Sequence, residues 1–197
     1  MRKFDMTSVV QSTARRAGRR IALLACAAGL TIGSAVAAHA TQLYLNFPGV
    51  VGDSVDSHHA REVVLTGFSA TDTLNLAANN TGRAAGRPTC GQVTVTKLID
   101  RASPQLLALL FTGRTTQGPV VISFENVTES GAVDYYQVAL NNVVVDNISQ
   151  SDSTSDVVKE TVQLRATQFV WTFKAQTGDG SVTPVKFGWD CATNRQL

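Results

Sequence analysis

Apolar residues recur at every second position along most of the chain beyond residue 40, which restricts the fold to strands that bury one face. Residues 92–98 read QVTVTKL, with Val93 and Val95 set against Thr94 and Thr96. Residues 160–166 read ETVQLRA, where Val162, Leu164 and Ala166 share one parity and Thr161, Gln163 and Arg165 the other. Successive side chains of a strand point to opposite faces, so this alternation marks half-buried antiparallel strands. At Phe169, Trp171 and Phe173 the apolar parity flips from even to odd. One inserted residue near Thr167 or Gln168 would do this, so a β-bulge or bend is expected there. Further strands are expected at 42–47, 62–68, 120–127, 135–141, 143–149 and 185–190, all rich in β-branched and aromatic residues.

One segment breaks the pattern. Ser103-Pro104-Gln105 precedes LLALLF and closes at Gly113. Ser103 suits an N-cap, Pro104 the first helical position and Gly113 a C-terminal stop, which predicts one short helix. Leu106, Leu107, Leu109 and Leu110 give it an apolar stripe the size of an ordinary core face. Two polar stretches read as loops: Thr71 to Thr89, and Gln150 to Asp156. The first is long for a compact domain, a property often associated with function.

The first forty residues differ from the rest. Arg15, Arg16, Arg19 and Arg20 precede the apolar run Ile21 to Ala37, which ends in Ala38-His39-Ala40. Basic region, short apolar region and small-x-small site together predict a secretory signal peptide over 1–40, with the mature domain at 41–197. The apolar run is short for a membrane span; an uncleaved N-terminal anchor is the alternative reading. Only Ile21 and Ala22 separate Arg20 from the lipoprotein-like Leu23-Leu24-Ala25-Cys26, too little for an apolar region, which argues against lipidation. Arg19-Arg20 has a poor twin-arginine context, which favours the ordinary secretory route.

Removing residues 1–40 changes the charge. They hold six of the 17 Lys and Arg and one of the 15 acids, so the remainder carries 11 basic and 14 acidic residues, formally −3. No basic cluster remains to bind nucleic acid or an anionic membrane. Three cysteines reduce to Cys90 and Cys191. In an exported protein two cysteines are expected to pair; two buried thiols or a bridge between subunits are the other readings.

No catalytic constellation emerges. The remaining histidines are His58 and His59, with Asp53 and Asp56 nearby. Adjacent histidines in a strand point to opposite faces and match no metal-ligand spacing, so a hydrogen-bonded turn is expected there and no metal. There is no G-x-S-x-G elbow, phosphate loop or dinucleotide fingerprint. The chain is expected to be neither an enzyme nor a cofactor binder.

Taken in order, the unusual segments resemble one family. Gly49, Gly52-Asp53-Ser54, Asp56, His59 and Glu62 resemble the pattern G-x-x-G-[ED]-S…H-x-x-E of the haemolysin-coregulated proteins, Hcp. Thr96 to Leu107, with Lys97, Asp100, Ser103, Pro104 and Leu106, resembles their T-K-x-x-D-x-x-S-P-x-L signature. Asp134-Tyr135-Tyr136 is similar to their D-Y-Y strand, and Glu160 to Leu164 to their E-x-V-x-L strand. Lys186, Gly188 and Trp189 sit in a segment similar to the family's ending. The Cys90 and Cys191 pair, the signal segment and the altered stretch Gly67-Phe68-Ser69-Ala70 depart from the family pattern.

The resemblance implies a mainly β fold, with two antiparallel sheets forming a barrel-like body and one short flanking helix. It implies a homohexameric ring, stacking of rings into the tube of a type VI secretion system, and a lumen that holds small protein cargo. Secretion-apparatus components are further implied partners; the loop bearing Asn79, Asn80, Arg83 and Arg87 is the implied stacking element. Family members act as enzymes only when a toxin domain is fused, and none is expected here. The alternative is an exported monomeric module that keeps the fold and binds a partner through that loop or a sheet edge.

Overall fold

The computed structural model describes residues 41–79, 82–128, 131–152, 157–176 and 182–197. The expected signal segment, Asn80, and residues 153–156 of the polar turn lie outside them. In chain order the strands are β1 (Thr41–Asn46), β2 (Val63–Leu65), β3 (Gly67–Ala70), β4 (Thr73–Asn79), β5 (Gly82–Thr89) and β6 (Val93–Leu98). Helix α1 (Ser103–Thr112) follows, then β7 (Val120–Thr128), β8 (Gly131–Asn141), β9 (Val144–Ser151), β10 (Lys159–Arg165), β11 (Gln168–Gln176), β12 (Val182–Asp190) and β13 (Arg195–Gln196).

These strands make three antiparallel sheets. The largest has the order β13-β12-β11-β8-β7-β1-β2, the second β3-β6-β10-β9, and the third is the hairpin β4-β5. The alternating residues of the first two supply the core: Leu45, Ile122, Leu140 and Phe169 from one, and Val93, Val95, Val162 and Leu164 from the other. Leu106 of α1 is fully buried in the same cluster. Cutting Leu106 to Ala is expected to destabilise the domain by about 2–5 kcal/mol through lost burial and the cavity left behind. A denaturant midpoint unchanged in Leu106→Ala would place the helix outside the cooperative unit.

The sheets do not close. Strands β2 and β3 follow one another but lie at the edges of different sheets, joined at Thr66, whose N–H donates to Thr96 O at 2.7 Å. At the opposite edges β13 and β9 share no ladder. A barrel requires every edge to be paired, so the expected barrel-like body is instead an open arrangement of two packed sheets plus a hairpin.

The parity flip near Thr167 takes the second of its two expected forms, a bend: β10 belongs to the four-stranded sheet, β11 to the seven-stranded one, and the chain crosses between them. Two local expectations are corrected by this topology. The stretch 71–89 is not a loop but mostly the β4-β5 hairpin. It was unreadable because alanines and polar residues replace the β-branched residues that mark core strands. Helix α1 is preceded by Ala102, with no side-chain cap; Asp100 organises the turn, accepting the Ala102 N–H at 2.9 Å. Gly113 does adopt the left-handed conformation at the helix end (φ 59°), which glycine accepts without steric penalty.

Candidate functional site

The sequence signatures converge on two buried polar clusters that fix the frame, and on one exposed face that it presents. The first cluster is centred on Lys97, which lies opposite Glu160 in the β6-β10 ladder. Both are fully buried. Lys97 Nζ lies 2.9 Å from Glu160 Oε2, 2.8 Å from Ser103 Oγ, 2.7 Å from Asp100 Oδ1 and 2.9 Å from Leu98 O. Ser103 Oγ donates to Glu160 Oε2 at 2.8 Å, and Gln150 Nε2 donates to Oε1 at 2.9 Å. Burial alone would raise the Glu160 carboxyl. The hydrogen bonds from Lys97, Gln150 and Ser103, with the Lys97 charge, outweigh it and hold the group below its ordinary range. Ser103 therefore serves the ion pair instead of capping the helix, and ties α1 to the second sheet.

The second cluster is built by the connection between β1 and β2. Gly52 passes so close to the chain that a Cβ there would lie 2.2 Å from Glu62 O and 2.6 Å from Val63 Cα. Gly52→Ala should therefore destabilise the fold by about 1–3 kcal/mol; an unchanged melting temperature would mean the loop shifts freely. Gly49, at φ 81°, makes the preceding turn. Ser54 is buried and exchanges backbone bonds with Arg61 and Glu62. Asp56 Oδ1 accepts the N–H groups of His58 at 2.7 Å and His59 at 3.1 Å. The two histidines thus lie in a turn, and the opposite-face argument, which holds for a strand, does not apply. His58 Nδ1 reaches Glu125 Oε1 at 3.3 Å, while buried His59 places Nδ1 2.9 Å from Glu62 Oε2 and Nε2 2.9 Å from Asp134 Oδ1.

His59 stacks on Tyr44, with ring centroids 4.2 Å apart. Burial would lower the His59 pKa, but the hydrogen bonds to Asp134 and Glu62 and their charges prevail and raise it. Tyr44 is pushed up to about 12 by burial and by the charges of Asp56, Glu125, Glu62 and Asp134. The signatures H-x-x-E and D-Y-Y thus meet in space. Glu125, which no motif singled out, joins them from β7 because Glu125 and Asp134 are partners in the β7-β8 ladder. The register of the β7-β8 hairpin, with its shift between Phe124 and Glu125, is what brings it there. Tyr135 and Tyr136 instead pack edge-on or tilted against Phe124, at 6.3 and 5.2 Å.

The exposed face is formed by the hairpin and the strands beside it. A disulfide joins Cys90, just after β5, to Cys191, just after β12, across 101 residues. Arg87 donates to Cys191 O at 2.9 Å and Ala192 O at 2.8 Å, so it braces the same junction. Leu74, Pro88, Trp171, Phe187 and Trp189 line a groove of about 550 Å³ between hairpin and sheet. Trp171, Phe187 and Trp189 form a stacked aromatic row, continued by Phe169. Beyond it, Phe173 and Val185 are ladder partners and both stand exposed. Gly188 lets Leu197 close over β12, where a Cβ would lie 2.9 Å from Leu197 Cβ. Lys186 is exposed on the same strand, and the backbone of Asn79 and Arg83 lies at the far end of the hairpin. Arg87 does not share that position. No helix among the described residues is long and apolar enough to cross a membrane.

Residues 44–173 match the family model described as type VI secretion system effector, Hcp. No curated protein matches the chain. Among solved structures, the chain is similar to a type six secretion system protein at 21% identity and TM-score 0.73, covering 80% of this chain and 100% of that one. It is similar to Hcp1 from Salmonella typhimurium at 19% identity and TM-score 0.67, covering 80% and 99%. A type VI secretion system effector from Yersinia pestis follows at 17% identity and TM-score 0.58, covering 75% and 98%. At these identities the structural likeness establishes a shared fold.

Proposed function

The chain belongs to the Hcp family of type VI secretion tube proteins, and from that premise we propose that it is exported through its signal segment and assembles outside the cytoplasm into hexameric rings. The family match across residues 44–173 supports the ring, and the basic cluster, apolar run and small-x-small site of residues 1–40 support the export. The exposed apolar pair Phe173 and Val185, continuous with half-exposed Phe187, also supports the ring. A sheet face that leaves large apolar side chains together in water gains by being covered by another surface. The far end of the β4-β5 hairpin, near Asn79 and Arg83, is the proposed contact between stacked rings. Arg87 contributes indirectly, by holding the hairpin's base. The lumen would accept small protein cargo, and the role is architectural, without catalysis or cofactor.

The test is the native mass and N-terminal sequence of protein recovered, without reductant, from the periplasm of cells expressing the full chain. The expected result is a chain beginning at Thr41 and a particle of six times its mass. A particle of one chain at high concentration would overturn ring assembly. A chain still beginning at Met1 would overturn processing by the signal route.

A further inference from the structure

The charge balance around His59 is incomplete. Glu62, Glu125 and Asp134 surround two imidazoles, and among the described residues only those imidazoles form ion pairs with them. Glu125 is fully buried, yet its Oε2 has no hydrogen-bond partner. A carboxylate left so in a protein interior is costly unless a cation or a donor reaches it. We propose that His59 Nε2, Glu125 and Asp134 form a binding site for one divalent cation of the zinc type.

Geometry supports the assignment. The donor atoms of His59, Glu125 and Asp134 all lie within 4.8 Å of one another. His59 Nε2 is 2.9 Å from Asp134 Oδ1 and 4.0 Å from Glu125 Oε1. Ligands bound to zinc at about 2.0–2.2 Å in a tetrahedral arrangement lie roughly 3.3–3.6 Å apart, and these separations bracket that range. Two of the three ligands are also held from behind. Glu62 Oε2 lies 2.9 Å from His59 Nδ1, and Asn46 Nδ2 in turn donates to Glu62 Oε1 at 2.8 Å. With Glu62 accepting from Nδ1–H, a metal would displace the proton that Nε2 shares with Asp134 and coordinate Nε2 in its place, the arrangement that metal-binding histidines share. Gln137 Nε2 donates to Asp134 Oδ2 at 2.8 Å, which leaves Oδ1 turned toward His59. Tyr44 stacks against the imidazole and fixes its plane.

The donor set points to the metal. Calcium and magnesium take oxygen ligands, whereas an imidazole with carboxylates suits zinc and neighbouring transition metals. Three protein ligands leave a fourth position for a water molecule; His58, 59% exposed, lies 3.3 Å from Glu125 Oε1. The site would be structural, locking the β1-β2 connection to β7 and β8.

The experiment is calorimetric titration of tag-free, chelator-treated protein with zinc chloride, alongside metal analysis of the protein as purified. The expected result is one zinc per chain and a melting temperature raised by about 5–10 °C at a hundredfold excess over Kd. Glu125→Gln, which keeps shape and removes charge, and Asp134→Asn should each weaken binding at least about a hundredfold. Cobalt substituted for zinc should give the absorption of a four-coordinate nitrogen and oxygen site. This readout stands even if Glu125→Gln fails to fold. Absence of stoichiometric binding by the wild-type protein, or unchanged affinity in folded Asp134→Asn, would overturn the site. Octahedral cobalt spectra would point to adventitious surface binding and overturn it equally.

Discussion

Lys97→Met should lower the free energy of unfolding by about 3–5 kcal/mol, because it strands a buried carboxylate. In the wild-type protein Glu160 has three donors and no exposure. Removing the ammonium deletes the only cation paired with it among the described residues. For a domain of this size the loss corresponds to roughly 6–20 °C in melting temperature. The double variant Lys97→Met, Glu160→Leu should recover a large part of it, since an apolar pair of similar volume removes both charges. The pH profile supplies a second sign. The Glu160 pKa lies below its ordinary value of 4.5 in the folded state. Its contribution to stability is therefore full above that value and lost as pH falls through the folded pKa. In Lys97→Met the uncompensated carboxyl should gain stability on protonation, so lowering pH should stabilise the variant where it destabilises the wild type. Equal acid slopes, or a loss under about 1 kcal/mol, would show that the cluster is solvated and contributes little.

The second large effect is expected from Cys90→Ser with Cys191→Ser. The bond closes a loop of 101 residues, for which the chain-entropy model gives about 4.7 kcal/mol; deletions of native disulfides span about 2–5 kcal/mol. Most of the effect should come from the unfolded chain, so reductant should shift the denaturant midpoint of the wild-type protein and leave the double variant unmoved. Thiol titration of processed, unreduced, denatured protein should find no free thiol. Two thiols per chain would overturn the assignment. The junction also sets the hairpin's base, where Gly91 N donates to Asp72 Oδ1 at 3.1 Å and Arg87 grips the 191–192 carbonyls. Assembly of the proposed ring should therefore be more sensitive to reductant than the fold itself, measured as native mass against circular dichroism.

The strands of the core were legible because their burial is periodic: Val93 and Val95, or Val162 and Leu164, announce the face they cover. The helix was legible from Pro104, the leucine stripe and Gly113. The hairpin β4-β5 was not, because alternation is imposed by a core, and alanines and polar residues stand where core strands carry β-branched ones. Sheet membership was not legible either, since the parity flip after Ala166 looks the same whether caused by an extra residue or by a change of sheet. The polar clusters were hidden for a different reason. Glu125 meets Asp134 and His59 only through strand register, and the family signatures named most participants without saying that they touch.

One further consequence follows from the place of β1 in the largest sheet. It begins at Thr41, yet it is an interior strand, flanked by β2 and by β7 some eighty residues later: Leu43 pairs with Leu65 on one side and Phe124 on the other. Pairings so distant along the chain are slow to form, because the intervening segment must be ordered first. A polypeptide emerging N-terminus first would have no partner for that side of its opening strand until β7 had been made. The same ladder that stabilises the finished domain thus keeps the growing one open, the condition under which a chain can be threaded through a narrow translocation pore.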